Sequence, residues 1–118
     1  VRVALVEGSD LADSLEGAGH EVVALESFRG AETGVTAKLS GCLVEFERRL
    51  GAEHVDTAIV CAADDANLAL TLVAAKLGVH LARAEDLGTD AVEGYGRAIA
   101  VLCDQTLRPG AEPTIPGS

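Results

Sequence analysis

The chain has 118 residues, 48% of them apolar, with one Tyr, two Phe and no Trp or Met, which is the size of one domain with a core of Ala, Val and Leu. So few aromatic rings leave little on which a nucleobase could stack, and 19 acidic against 9 basic residues give a formal net charge of -10. Such a surface excludes nucleic acid and anionic membranes as natural partners. Lys38 and Lys76 are the only lysines, a pattern that fits a salt-adapted, halophile-like proteome as well as an ordinary acidic protein. Cys42, Cys61 and Cys103 each fall in a stretch read as strand among apolar neighbours, with no CxxC or Cys/His spacing, so they are expected to be buried thiols in a reducing compartment. No stretch approaches the ~20 apolar residues of a membrane span and no basic leader precedes an apolar run, so a cytoplasmic chain with no direct membrane insertion is expected.

In chain order, residues 2–6 (RVALV) predict a first strand that runs into Glu7, Gly8, Ser9 and Asp10, where Gly8 permits a tight turn and Ser9 or Asp10 can cap. Leu11, Ala12, Leu15 and Ala18 mark one face of a two-turn helix that ends at Gly17 or Gly19. Residues 20–25 (HEVVAL) predict the second strand, which ends on Glu26. Between residues 27 and 56 two readings compete. One has a weak helix over 32–39, a third strand over 41–46 (GCLVEF) and a helical turn before Gly51. The other, slightly preferred, makes 39–50 one helix, because Leu39, Leu43, Phe46 and Leu50 recur at helical spacing, although Gly41 inside it costs ~1 kcal/mol.

Residues 56–83 form the clearest unit: a strand over 57–62, a turn able to cap at Asp64 or Asp65, a helix over 68–77 closed by Gly78, and a second strand over 79–82. A helix this apolar must be covered on more than one side, by its own sheet and neighbouring helices or by a second subunit. Beyond it, residues 85–90 read as a polar connection, 91–97 as a short helix capped by Thr89 or Asp90, and 98–103 (AIAVLC) as the last strand. Residues 107–118 hold all three prolines and read as a flexible tail or linker to a domain spanning 1–106.

Strands alternating with helices predict an α/β fold, a Rossmann-like parallel sheet of five or six strands with helices on both faces. Ligands of such sheets bind beyond the carboxyl ends of the strands, which places residues 7–10, 26–29, 62–67 and 83–86 at the candidate edge. Asp64 and Asp65 suit a helix N-cap better than paired catalytic carboxylates, and Asn67 suits either first-turn capping or a ligand hydroxyl. His20, His54 and His80 do not fall on one such surface, which argues against a histidine metal site or triad. Ser9 lacks the G-x-S-x-G of a nucleophile elbow. Arg48 and Arg49 lie beside Glu45 and Glu47 and read as a solvated, internally paired face.

The central unit resembles the nucleotide-binding N-terminal regulatory domains of potassium uptake and channel proteins (RCK / Trk N-terminal domains). The resemblance is carried by Val60-Cys61-Ala62, Asp64-Asp65-Ala66-Asn67, Ala75-Lys76-Leu77-Gly78 and Ala82-Arg83, together with residues 19–26 (GHEVVALE). It implies a non-catalytic regulatory module linked to potassium transport, with NAD(H) or an adenine nucleotide as ligand. It further implies a homodimer or larger homo-oligomer that serves a membrane transport protein. Its cofactor-binding positions would be Gly8, Ser9, Glu26, Ala62, Asp64, Asn67 and Arg83, with Glu26 on ribose hydroxyls and Arg83 facing a phosphate or a partner subunit. The glycine loop departs from that pattern: one glycine and two carboxylates, Glu7 and Asp10, stand where G-x-G-x-x-G would admit a pyrophosphate. Residues 63–85 are also loosely similar to UDP-sugar 2-epimerases, which have a polar Asp-containing turn, an Ala-rich helix, a Leu-Gly and a strand followed by a Glu. That likeness implies a fragment of an enzyme that closes two domains on its substrate. A pure assembly subunit is the third reading.

Overall fold

Alternation along the strands sends each short apolar run to two opposite layers, and both layers are filled. The computed structural model describes residues 1–27, 36–85, 87 and 93–107. Five strands, β1 (Arg2–Val6), β2 (Glu21–Leu25), β3 (Thr57–Val60), β4 (His80–Ala84) and β5 (Gln105–Leu107), form one parallel sheet in the order β2-β1-β3-β4-β5. Val3, Leu5, Ile59 and Ala82 face one way and pack with Leu15 of α1 (Leu11–Gly17). Ala4, Val6, Val23, Leu25, Ala58, Val60 and Leu81 face the other, toward α2 (Ala37–Glu53), α3 (Asp65–Leu77) and α4 (Glu93–Leu102). The expected α/β fold, with helices on both faces, is what forms.

The preferred helical reading of residues 39–50 holds, because Cys42, Phe46 and Leu50 of α2 drop into the core with Leu39 and Leu43 beside them. The alternative strand over 41–46 does not form, so the sheet has five strands. Arg48 pairs with Glu45 one turn earlier on the outer side of α2. α3 lies on the sheet between α2 and α4 and buries eight of its 13 residues. Its own neighbours therefore account for its apolarity, and only Leu72 and Leu77 among its large apolar side chains stay exposed.

The carboxyl end of the chain differs from expectation. Residues 98–102 continue a helix rather than form the last strand, since Tyr95, Ala98, Ile99 and Cys103 recur at helical spacing and pack against the core. A short continuous apolar run is ambiguous between helix and strand until its neighbours choose. The last strand is instead β5, begun where the Asp104 N–H donates to the Leu81 carbonyl at 2.7 Å. Leu107, read as the start of the tail, pairs with Ala84 and accepts the Glu85 N–H at 2.9 Å. The remainder of that tail, the first part of the weak helix that the alternative reading placed over 32–39 and the expected Thr89 or Asp90 cap lie outside the described residues, while residues 37–39 belong to α2. None of the cysteines lies within a strand: Cys42 is buried in α2, Cys61 follows β3, and Cys103 lies between α4 and β5, all as free thiols. No helix among the described residues is long and apolar enough to cross a membrane.

Thr57 is an exception inside the sheet. It is only 1% exposed, and its hydroxyl finds no hydrogen-bond partner among the described residues. A buried, unsatisfied hydroxyl carries a desolvation cost that an isosteric methyl does not. Thr57→Val should therefore raise the unfolding free energy by ~1 kcal/mol, read from chemical denaturation; an unchanged or lower midpoint would show that the hydroxyl is satisfied in solution.

Candidate functional site

In a sheet ordered 2-1-3-4-5, the chain leaves β1 toward one side and β3 toward the other, so the two connections diverge and open a crevice beyond the carboxyl ends of β1 and β3. The first wall is the turn after β1. Gly8 sits there at φ 90°, a left-handed conformation that side chains resist, and a Cβ on it would meet no atom within 4 Å. The turn is thus open at Gly8. Ser9, rather than Asp10, contacts the start of α1: its Oγ accepts the Leu11 N–H at 3.2 Å, while Asp10 makes no side-chain cap bond.

The second wall is the segment joining β3 to α3. Asp64 is the N-cap of α3, and its Oδ1 accepts both the Asn67 N–H at 2.8 Å and the Asn67 Nδ2–H at 2.9 Å. Asn67 is 3% exposed, and its Oδ1 accepts the Cys61 N–H at 3.2 Å. Both ends of the Asn67 carboxamide are therefore bonded within the loop, which they hold in shape. The acidic turn has the cap chemistry expected of it. Across the crevice the Ser9 hydroxyl lies 3.3 Å from the Cys61 sulfur and donates to it, joining the two walls. Burial pushes the Cys61 thiol up from its ordinary range, with the Ser9 hydrogen bond working in the opposite direction.

Around this junction Glu7, Asp10, Glu26, Asp64 and Glu85 are all exposed at the same edge of the sheet. Glu26 follows directly on β2, beside the Glu7 N–H that bonds the Leu25 carbonyl at 2.9 Å. Ala62 lies half-buried just past β3. Gly8, Ser9, Ala62, Asp64 and Asn67 are thus gathered at the β1 and β3 ends, with Glu26 on the flank. Arg83 is placed differently. It lies within β4, opposite Val60 and Thr106, and its charge partly offsets the burial that raises the Cys103 thiol to about 11.

Two participants were not read as site residues from the sequence. Cys61 continues the inward alternation of Thr57 and Ile59 by one more step, toward the face on which Ser9 sits, and that period of two was the available signal. Tyr95 donates its phenol proton to Asp65 Oδ1 at 2.8 Å and so ties α4 to the first turn of α3. A tie between residues 30 apart in the chain leaves no local trace in sequence. Among the described residues no group of three or more His, Cys, Asp or Glu is arranged to hold a metal ion. Two open clefts, of about 490 Å³ beside His80 and Asp104 and about 450 Å³ beside Arg2, Glu21 and Asp56, lie at the opposite, amino ends of the strands.

The chain is thus a Rossmann-like α/β domain whose candidate site is the β1/β3 carboxyl edge. No family model matches it, and no curated protein does. Solved structures do. The UDP-GlcNAc 2-epimerase from Methanocaldococcus jannaschii is 16% identical, with a TM-score of 0.76 over 92% of this chain and 39% of that one. The UDP-GlcNAc 2-epimerase from Neisseria meningitidis bound to UDP-GlcNAc is 12% identical, with a TM-score of 0.76 over 92% and 40% of the two chains. The MnaA–UDP co-structure from S. aureus is 15% identical, with a TM-score of 0.74 over 92% and 37%. At these identities the likeness establishes the fold, and this chain spans about two-fifths of the length of those proteins.

Two measurements check this geometry. Asn67→Ala removes the acceptor of the half-buried Cys61 N–H and leaves the Asp64 cap without its side-chain partner, and should lower the unfolding free energy by ~2 kcal/mol; denaturation curves that superimpose on the parent would remove Asn67 from the junction. The chain holds a single Tyr, so absorbance near 295 nm reports Tyr95 alone. Its hydrogen bond to Asp65 raises its ionisation above the ordinary 10.0, with burial and the Asp65 charge adding to the rise. The titration midpoint should therefore lie above pH 10, and Asp65→Asn should move it down; a midpoint at or below pH 10 in the parent would show that the tie is not made.

Proposed function

We propose that this chain is the Rossmann-like half of a sugar-nucleotide enzyme of the UDP-sugar 2-epimerase kind, and that its β1/β3 carboxyl edge meets the uncharged part of the ligand. The observation that supports the reading is the match of 92% of the chain, at a TM-score of 0.76, to about two-fifths of enzymes that act on or bind UDP-GlcNAc. A match to about two-fifths of each enzyme suits a reaction that needs two domains to close on the substrate and exclude water.

Charge decides which part of the ligand this half takes. Glu7 and Asp10 flank the only glycine of the β1 turn, and α1 is two turns long, so a diphosphate there would meet like charge without the cradle of backbone N–H groups that offsets it elsewhere. The exposed Asp64 carboxylate and the open position beside Gly8 suit sugar hydroxyls. The cations that hold the phosphates belong, in this reading, to the remaining three-fifths of the assembly. Glu85, directly after β4, is the acid of this half that the epimerase likeness singles out.

The regulatory reading implies a different ligand order, with NAD(H) or an adenine nucleotide bound through Glu26 and Arg83. Isothermal titration with UDP-GlcNAc, N-acetylglucosamine, UDP, NADH and ATP separates the two. UDP-GlcNAc and N-acetylglucosamine should bind weakly and within about threefold of each other, a difference below ~1 kcal/mol, with UDP alone weaker. NADH or ATP binding more tightly than either sugar ligand would overturn the proposal in favour of the potassium-domain reading, and heat from none of the five would favour an assembly role.

A further inference from the structure

We draw no further inference here: the strongest candidate, the cleft of about 490 Å³ at the amino ends of β4 and β5, carries nothing because its polar side chains already have partners, His80 with Gln105 and Asp104 with the Leu81 N–H, and nothing in the structure shows what would occupy it.

Discussion

The Asn67 carboxamide is the joint on which the candidate edge depends. It is buried, it accepts from the Cys61 N–H at the end of β3, and it donates to the Asp64 cap of α3. A polar group taken out of water costs free energy unless every bond it loses is remade inside, so the loop has few conformations in which Asn67 can be buried at all. Cys61 is fixed by the same bonds, and Ser9 reaches Cys61 from the other wall. The position of the β1 turn is therefore set in part by an amide 58 residues later in the chain. Below the joint, α3 is held on the sheet between α2 and α4, so the edge rests on the most deeply packed helix of the domain.

The edge is open at Gly8, and its charge bears on which ligand could be proposed for it. Among the described residues five exposed carboxylates surround the junction, while Arg83, half-buried, stands opposite Val60 at the end of β3. Phosphate recognition at a helix N-terminus needs several aligned N–H groups, a close backbone approach and little competing negative charge. α1, with seven residues and two flanking acids, offers the reverse. The β1 turn of this Rossmann-like scaffold thus lacks the usual phosphate cradle, which is the physical ground for proposing that the uncharged part of a ligand meets this edge. Fold alone would not separate these possibilities, because the same sheet serves many chemistries.

Local signals were legible wherever one element determined its own state. Asp64 and Gly78 bracket α3 by cap chemistry that any sequence reader can apply, and the spacing of Leu39, Leu43, Phe46 and Leu50 was enough to make α2 a helix despite Gly41. Residues 98–102 were not legible in that way. AIAVL has no polar position to reveal a period, and Gly94 and Gly96 just before it weaken helix propensity. The helix is selected by tertiary packing, with Ile99 fully buried and Tyr95 bonded to Asp65. Of the candidate site, the gathering of Gly8, Ser9, Ala62, Asp64 and Asn67 at the carboxyl ends of β1 and β3 was readable from topology alone. The division of labour within it was not, because whether Asn67 serves the loop or a ligand depends on where Cys61 presents its N–H.

Mapping a bound sugar onto the backbone tests the central claim most directly. In ¹H–¹⁵N spectra of the chain titrated with N-acetylglucosamine, the amides of Gly8, Ser9, Cys61 and residues 64–67 should shift together and saturate. Shifts confined to Gly19, Glu21 and Asp56, or to Gly78, Leu81 and Asp104, would place the ligand in one of the amino-end clefts and contradict a site at the β1/β3 carboxyl edge.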